Sequence, residues 1–399
     1  MPDRVSFLFG SGISIRAGMP TVDQITEKIL SGNGVMRHTD EQYYIRSPDR
    51  VMIGYVERVV AFLNRLHAEI KGYYNSRDYY GSDSGRKINY EELYYVALQM
   101  YESETGAHDN PIVQAFIDRI LPDIEPLFVR KDSREIERIW NLRKIAGEAI
   151  HYIQDLVSNL LRTSTDVSYL SGVGNACKEL DVPPRLFTLN HDTVLERFLN
   201  ESGIPYTDGM EAPENGYRYW SPEVFENCDH KIRLFKLHGS WNWFRYQSSV
   251  ATGGNDPVGI AIDGRYWLSK NQDGTYQWRD PGRSIMLVGT FNKIEEYTDR
   301  IFADLFCQFR RALREIDLLI VCGYGFGDQG INRQIWEWAE SSDRPRMVVI
   351  HEKPDDLAMG ARAYISHNWD RWLRDKKLVI VRKWIQDTSW KDIQDAIQR

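Results

Sequence analysis

The chain has 399 residues, with 50 Lys and Arg against 57 Asp and Glu, so its formal net charge is −7. A chain of this length can bury a substantial core without disulfide bonds, and its 42% hydrophobic and 27% charged residues are typical of a soluble globular protein. The acidic balance argues against non-specific nucleic-acid binding, which needs a basic surface, and no apolar run approaches the roughly 20 residues of a membrane-spanning helix.

The cysteines and the N-terminus indicate the cellular compartment. Cys177, Cys228, Cys307 and Cys322 are too far apart in sequence to supply the paired ligands of a structural zinc site. The N-terminus has no cationic stretch followed by a signal-like apolar segment. We therefore expect a cytoplasmic protein with reduced thiols, no disulfide framework and no metal centre.

Short runs of β-branched and apolar residues, bounded by polar residues or glycine, predict buried parallel strands. Helical periodicity separates several of them, and apolar side chains recur at three- and four-residue spacing across residues 299–316. This alternation predicts an α/β protein with a Rossmann-like, doubly wound parallel sheet. The predicted strands are residues 5–9, 185–189, 232–237, 317–322, 347–351 and 378–381.

The segment between the first two strands has a different pattern. Apolar residues repeat with helical spacing, which predicts a mainly helical insertion over residues 56–175. The α/β domain is then discontinuous and consists of residues 1–55 and 176–399. Within the insertion, residues 73–89 are polar and contain glycine, so we expect an exposed loop there.

Residues 250–290 alternate between apolar and polar positions. They also contain Asp263-Gly264 and Asp273-Gly274, which are favourable sequences for tight turns between antiparallel strands. We therefore predict a small β-hairpin region inserted in the α/β domain.

A glycine-rich segment, Gly10-Ser11-Gly12-Ile13-Ser14, follows the first predicted strand directly. Glycine lets backbone N–H groups approach a phosphate closely, and a helix N-terminus adds positive potential. The spacing departs from Gly-x-Gly-x-x-Gly, since the next glycine is Gly18, and no Walker-type Gly-Lys-Ser/Thr follows. From these residues alone, a phosphate-binding loop and a plain tight turn are equally good interpretations.

Two further motifs end predicted strands, where parallel sheets place their ligands. In Thr188-Leu189-Asn190-His191-Asp192, Asn190 can donate and accept hydrogen bonds and Asp192 can accept them, which suits sugar hydroxyls. Capping of the following helix is by itself the better interpretation of this pair. In Lys236-Leu237-His238-Gly239, the imidazole of His238 can accept a proton near neutral pH, whereas a lone histidine is more often structural.

A second glycine-rich turn, Gly323-Tyr324-Gly325-Phe326-Gly327-Asp328, follows the strand at residues 317–322. Two such turns far apart in sequence can converge on one dinucleotide. Asp328 can instead cap the next helix, which would make Asn332 a simple first-turn polar residue. Glu352, after the next predicted strand, is placed to hold the hydroxyl pair of a ribose.

Together these motifs resemble the sirtuin-like superfamily, in its bacterial NAD-hydrolysing branch. The Gly10–Ser14 segment is similar to the sirtuin NAD loop, and the Thr188–Asp192 segment is similar to the Thr-Gln-Asn-Ile-Asp motif. His238-Gly239 matches the catalytic His-Gly, and the second turn resembles the Gly-Tyr-Ser-x-x-Asp turn, with Gly325 where serine is usual. The resemblance covers the two sheet segments and leaves out the helical insertion and the hairpin region.

The sequence differs from the sirtuin deacylases at positions that those enzymes need for protein deacylation. The paired cysteines of the sirtuin deacylases are absent. Pro20 is followed by Thr21-Val22-Asp23 in place of Asp-Phe-Arg, and Leu189 replaces the glutamine of Thr-Gln-Asn. The resemblance therefore implies NAD binding and nicotinamide release rather than deacylation.

The resemblance also implies a role for each motif residue. We expect NAD to lie across the strand ends, with the nicotinamide ribose between Asn190 and His238 and with no metal involved. Asn190 would orient the ribose hydroxyls and a water, and His238 would take a proton, with Asp192 as a third catalytic residue. The expected NAD-binding residues are Gly10, Ser11, Gly12, Ser14, Gly323, Tyr324, Gly325, Asp328, Asn332 and Glu352.

The function implied is that of an NAD+ glycohydrolase which serves bacterial antiphage defence by depleting NAD. Such an activity needs gating, and the resemblance implies self-oligomerisation or a partner such as a HerA-type ATPase or a short Argonaute. Three alternatives remain open: a non-catalytic module that senses NAD or another nucleotide, a deacylase or ADP-ribosyltransferase, and a cyclase that traps the ribose cation with an internal nucleophile. No membrane association and no direct nucleic-acid binding are indicated.

Overall fold

The computed structural model describes residues 4–45, 51–77, 87–107, 110–128, 140–214, 216–226, 232–246, 257–261, 268–270, 276–278, 282–289, 297 and 300–398. The chain divides into two compact units. The first comprises Met1–Met19, Leu161–Leu287 and Lys293–Arg399, and the second comprises Pro20–Leu160 and Val288–Asn292.

Strands and helices alternate along the first unit, whereas helices dominate the second.

Among the described helices, none combines the length and apolar character that a bilayer crossing requires. The strands are β1 (Val5–Phe9), β2 (Val35–His38), β3 (Tyr43–Ile45), β4 (Val51–Met52), β5 (Arg185–Thr188), β6 (Tyr206–Thr207), β7 (Tyr217–Tyr219), β8 (Ile232–Lys236), β9 (Phe244–Arg245), β10 (Val258–Ala261), β11 (Leu268–Lys270), β12 (Tyr276–Trp278), β13 (Leu318–Cys322), β14 (Arg346–Ile350) and β15 (Leu378–Val381). The helices are α1 (Val22–Ser31), α2 (Tyr55–Arg77), α3 (Tyr90–Thr105), α4 (Pro111–Ile124), α5 (Leu142–Leu160), α6 (Ser171–Glu179), α7 (Val194–Glu201), α8 (Arg300–Glu315), α9 (Gln329–Ala339), α10 (Pro354–Gly360), α11 (Ala363–Ser366), α12 (Trp369–Arg374) and α13 (Trp390–Gln398).

The first unit is built on a seven-stranded sheet with the order β15-β14-β13-β1-β5-β8-β6. Every neighbouring pair in this sheet is parallel. All six predicted strands belong to it, with bounds that agree to within one residue at each end; only the two-residue β6 was not predicted. β1 and β13 are buried at every position, which explains why all their residues except Ser6 are apolar. The predicted Rossmann-like α/β fold is confirmed.

The order of the strands creates a topological switch point at β1, in the middle of the sheet. β1 pairs with β5 on one side, through Ser6 and Arg185, and with β13 on the other, through Val5 and Leu318. The chain therefore extends the sheet in both directions from β1. In such sheets the carboxyl ends of the strands on either side of the switch form a crevice that binds ligands. The four sequence motifs described above follow β1, β5, β8 and β13.

The predicted hairpin region contains antiparallel strands, as expected, although they have more than one set of partners. β11 pairs antiparallel with β12 and forms a hairpin. β10 instead pairs with β7 and β9, which come earlier in the chain. The two predicted turns, Asp263-Gly264 and Asp273-Gly274, lie outside the described residues.

The second unit contains α1 to α5 and a small antiparallel sheet in which β2 lies between β3 and β4. The prediction of a loop over residues 73–89 is wrong at its start, because α2 continues to Arg77. The Tyr74 hydroxyl donates a hydrogen bond to Glu92 Oε1 at 2.9 Å, which ties the last turns of α2 to the first turn of α3. Residues 78–86 lie outside the described part of the chain.

A buried ion pair joins β2 to α5 in the second unit. The Arg37 guanidinium donates through Nε to Glu148 Oε2 at 3.0 Å and through Nη2 to Glu148 Oε1 at 2.9 Å. Tyr43 Oη, at 2.6 Å, and Lys144 Nζ, at 2.7 Å, also contact the carboxylate. Burial opposes ionisation of both partners, but the hydrogen bonds and charges outweigh it, so the pKa of Arg37 is raised and that of Glu148 is lowered.

Candidate active site at the strand ends

The two glycine-rich turns contact each other directly at the carboxyl ends of β1 and β13. Gly10 N donates to Cys322 O at 3.0 Å, and Gly12 N donates to Gly323 O at 2.9 Å. A Cβ on Gly10 would lie 2.5 Å from Gly323 O and 2.6 Å from Tyr324 Cα. Gly323 has a φ of 66°, and a Cβ there would lie 2.5 Å from Ile13 N. Close packing between the turns therefore requires these glycines, whatever ligand the turns bind.

Replacing Gly10 by alanine is expected to destabilise the protein by about 1–3 kcal/mol, because the new methyl group meets backbone atoms that cannot move aside easily. Gly325 provides a matched control, since nothing lies within 4 Å of a Cβ placed there. The Gly325→Ala protein should stay within about 0.5 kcal/mol of the wild type. Urea unfolding of the three proteins measures the difference, and an equal loss in both variants would contradict the steric argument.

Asn190 lies two residues beyond β5, and its side chain reaches the first glycine-rich turn. Its Nδ2 donates to Gly10 O at 3.1 Å and to Ser14 Oγ at 3.0 Å. Its Oδ1 is buried and has no hydrogen-bond partner among the described residues, and the residue as a whole is only 6% exposed. Buried amide oxygens are seldom left unsatisfied. Asn190 therefore presents an acceptor for a donor that the described residues do not supply.

The remainder of the β5 motif is held by structural contacts. Asp192 Oδ1 accepts a hydrogen bond from Val194 N, the first residue of α7, at 3.0 Å. The N-cap residue itself is Thr193, whose side chain makes no capping hydrogen bond, and Asn190 is directed at the first glycine-rich turn, so the interpretation of the pair as helix caps is wrong for Asn190. Lys236 Nζ contacts Asp192 O and forms an ion pair with Glu196 at 2.8 Å. Burial raises the pKa of Glu196 despite this neighbouring ammonium group. Asp192 thus fixes the loop that carries Asn190.

His238 lies two residues beyond β8, at the strand end next to that of Asn190. Thr188 and Lys236 are paired in register, and Leu237 N donates to Thr188 O at 2.9 Å. Adjacent strands are about 4.8 Å apart, so Asn190 and His238 project from neighbouring positions at the same edge of the sheet. The two residues that the sequence predicts to act on one substrate therefore follow neighbouring strands at the same edge of the sheet.

The imidazole of His238 is held in a polar cluster that the sequence motifs did not reveal. Its Nε2 lies 2.6 Å from Tyr297 Oη and 3.2 Å from Asp328 Oδ2. The Tyr297 hydroxyl donates to the same Asp328 oxygen at 3.0 Å. His238, Tyr297 and Asp328 are all buried. Tyr297 belongs to no motif, and no periodicity of the surrounding sequence marks it.

The second glycine-rich turn satisfies most of its side chains internally. The Tyr324 hydroxyl donates to Asn332 Oδ1 at 2.8 Å, and Asn332 Nδ2 donates to Phe326 O at 2.8 Å. Asp328 Oδ1 caps α9 by accepting a hydrogen bond from Ile331 N at 2.9 Å. The interpretation of Asp328 as a helix cap is therefore confirmed. Tyr324 and Asn332 therefore shape the turn, whereas Asp328 is directed at His238.

The remaining predicted NAD-binding residues are accessible. Ser11, Gly12, Gly325 and Glu352 are exposed, and Gly323 is half-buried. Glu352 follows β14, which lies beside β13 in the sheet. These positions border the two turns on the solvent side, where a ligand can approach their backbone.

The comparison with protein families agrees with the motifs. Residues 184–379 match the model of the SIR2-like domain. The matched segment includes Asn190, His238 and Asp328, and the first glycine-rich turn lies before it. No curated protein matches the chain.

Among solved structures, the chain is similar to Sir2 homologues. A crystal structure of a Sir2 homolog–NAD complex shares 11% identity, covers 100% of this chain and 90% of its own, and gives a TM-score of 0.38. A mutant Sir2 homologue in complex with ADP-ribose shares 11% identity, covers 100% of this chain and 93% of its own, and gives a TM-score of 0.37.

Across the described ranges of the chain, no group of three or more His, Cys, Asp or Glu side chains is arranged to hold a metal ion. What the site offers instead is an unsatisfied amide oxygen, an imidazole held by a carboxylate, and two backbone turns. These groups suit hydrogen bonding to hydroxyls and proton transfer.

Proposed function

We propose that the protein cleaves the glycosidic bond between nicotinamide and ribose in NAD+, with release of nicotinamide and ADP-ribose. The observation that carries this proposal is the buried, unsatisfied Oδ1 of Asn190, which lies at the strand end next to that of His238. A ribose hydroxyl is a donor of the right kind for this oxygen. The SIR2-like domain match supports NAD as the source of that ribose.

The first glycine-rich turn has an exposed side that the diphosphate of such a substrate could contact, although the N–H groups of Gly10 and Gly12 are already donated to backbone carbonyls. Ser11 and Gly12 are exposed, so the backbone of this turn can be approached from solvent. Asn190 Nδ2 is bound to Gly10 O and Ser14 Oγ, which fixes the distance between the turn and the amide. Gly10 and Ser14 are buried and hold the turn in place, so we infer that the diphosphate contacts the exposed Ser11 and Gly12. The adenosine half would then extend toward Gly323, Gly325 and Glu352.

The chemistry required of the protein is modest. Nicotinamide leaves as a neutral molecule, so the bond breaks dissociatively and positive charge develops on the ribose, as in glycoside hydrolysis. Asn190 orients the ribose hydroxyls through its amide oxygen. His238 accepts a proton from a hydroxyl or from the attacking water, and its buried position keeps bulk solvent away from this step.

We propose further that this activity serves bacterial antiphage defence. An ungated enzyme of this kind would deplete the NAD of its own cell, so the isolated chain is expected to have low basal activity. Self-oligomerisation, or a partner such as a HerA-type ATPase or a short Argonaute, would then supply the trigger.

The test is an identification of the products formed from NAD+ by the purified full chain. Mass spectrometry is applied to the chain alone and together with proteins encoded by neighbouring genes. Equal amounts of nicotinamide and ADP-ribose are the expected result. Nicotinamide with a cyclic ADP-ribose isomer would identify a cyclase, and tight NAD binding without cleavage in every condition would identify a sensor. Activity on an acyl-lysine peptide would identify a deacylase.

A further inference from the structure

We propose that Asp328 is a positioning residue which, with Tyr297, fixes the proton arrangement of the His238 imidazole and balances the charge that it acquires. The inference rests on the proposed NAD cleavage, because it assigns a role to residues that surround its proton acceptor. Asp328 belongs to the second glycine-rich turn, which the sequence analysis assigns to the adenosine half of NAD. The inference gives this turn a further role at the nicotinamide ribose, through His238.

The hydrogen positions follow from the three contacts. The Tyr297 hydroxyl has one hydrogen, which it donates to Asp328 Oδ2 at 3.0 Å. Its oxygen therefore accepts at the 2.6 Å contact with His238 Nε2. Asp328 Oδ2, at 3.2 Å from the same nitrogen, also accepts. Nε2 of a neutral imidazole must then carry the hydrogen, which leaves the lone pair on Nδ1.

The Asp328 carboxylate is held rigidly enough to impose this arrangement. Its Oδ1 caps α9 through Ile331 N at 2.9 Å, so Oδ2 is the oxygen left for His238 and Tyr297. Its backbone N–H donates to the Tyr324 hydroxyl at 3.1 Å. A turn fixed at both the backbone and the side chain leaves the carboxylate little freedom to turn away.

Tyr297 is also fixed by its surroundings. Its ring stacks on Phe306 of α8, with 4.4 Å between the ring centroids. It lies so close to α9 that a Cβ on Gly330 would be 2.9 Å from the ring. The Tyr297 ring therefore packs between α8 and α9, and its hydroxyl contacts both His238 and Asp328.

This arrangement has a direct consequence for proton transfer. When His238 takes a proton from a ribose hydroxyl or a water, the proton binds to Nδ1 and the ring becomes an imidazolium. The adjacent Asp328 carboxylate stabilises that cation, and its hydrogen bond keeps the ring in the orientation that received the proton. Asp328 neither gains nor loses a proton in the step.

The activity test uses Asp328→Asn, which isolates the charge of Asp328 from its structural role. Asparagine caps a helix as well as aspartate does, so α9 should be preserved. We expect kcat for nicotinamide release to fall by about 10- to 100-fold, within the range of acid–base contributions, while KM for NAD+ and the unfolding temperature change little.

Two further variants separate the helix-capping role of Asp328 from the role of the Tyr297 hydroxyl between His238 and Asp328. Asp328→Ala removes the cap as well as the charge, so it should lose the same activity and also unfold at lower temperature. Tyr297→Phe removes one hydrogen-bonding group and should lower kcat by roughly 3- to 10-fold. A kcat for Asp328→Asn within twofold of wild type would overturn the proposal. So would a rise in kcat for Tyr297→Phe, since the hydroxyl would then be blocking the imidazole.

A spectroscopic measurement tests the same arrangement without NAD. The chain is labelled with 15N-histidine, and His238 is assigned as the signal lost in His238→Gln. The neutral ring should be protonated at Nε2 in the wild type and should become a tautomer mixture in Asp328→Asn. A wild-type ring protonated at Nδ1 would overturn the inference. If the wild type releases no nicotinamide either alone or with the proteins encoded by neighbouring genes, the proposed function fails, and the tautomer alone decides the positioning role.

Discussion

Nicotinamide release is expected to fall by about 10²- to 10³-fold when Asn190 is replaced by alanine, while affinity for NAD+ falls much less. The amide oxygen that would orient the ribose is buried and otherwise unsatisfied, so its removal takes away an interaction directed at the reacting sugar. An interaction of this kind contributes mainly to the transition state. Initial rates at saturating NAD+ measure the chemical step, and calorimetric titration of NAD+ measures binding.

The control for this prediction is another asparagine of the same unit. Asn200 is exposed at the end of α7, and its side-chain Nδ2 donates a long hydrogen bond of 3.4 Å to the Tyr206 hydroxyl. Asn200→Ala should retain the wild-type rate. His238→Ala should lose as much activity as Asn190→Ala, and the double variant should lose little more than either, because the two residues act on one step. Unchanged ADP-ribose production in Asn190→Ala would refute the assignment of the site.

Replacement of Glu148 by glutamine is expected to destabilise the protein by about 3–5 kcal/mol, the usual cost of breaking a buried ion pair from one side. Arg37 would keep its charge while being 1% exposed, and it would lose its anionic partner. Tyr55 and Tyr43, whose rings lie near the guanidinium, offset only part of that loss. Urea unfolding of the full chain, compared with the wild type, measures the change.

An exposed ion pair of the same unit provides the comparison. Lys87 and Asp23 lie 2.5 Å apart, but their side chains are 75% and 58% exposed. Lys87→Gln should therefore change stability by no more than about 1 kcal/mol. A Glu148→Gln protein as stable as Lys87→Gln would show that the buried pair contributes no net stability.

The stability of the wild type and of Glu148→Gln should also depend differently on pH. The pKa of Glu148 is lowered from 4.5 in the folded chain, since hydrogen bonds from Arg37, Lys144 and Tyr43 outweigh the effect of burial. The unfolded state therefore binds the proton first, and the stabilisation is complete above the ordinary pKa. It is lost as the pH falls through the lowered folded value. The stability difference between wild type and Glu148→Gln should shrink over that acidic range.

The main sheet could be predicted because its strands are buried on both faces. Segments such as β1 and β13 are then apolar at every position except Ser6, and the polar or glycine residues that follow mark their ends. Parallel strands also present their carboxyl ends at one edge, so motifs far apart in sequence could be assigned to one place. Asn190 and His238 do lie at adjacent strand ends of this sheet.

What the sequence did not reveal depends on tertiary contacts. Tyr297 is fixed by stacking on Phe306 and by a glycine at position 330, and neither leaves a local pattern. The pairing of β10 with β7 and β9 joins segments that a hairpin pattern cannot connect. The last turns of α2 form although residues 73–77 are polar, because Tyr74 is held by Glu92 from another helix.

The central position of β1 has a consequence for how the chain folds. Its two sheet partners begin at Arg185 and Leu318, so most of the polypeptide must be synthesised before both edges of this strand are covered. Pairings over such sequence distances make folding slow, and an uncovered strand edge is a template for aggregation. Fragments that end between His238 and Leu318 are therefore expected to aggregate during expression, even though they retain Asn190 and His238.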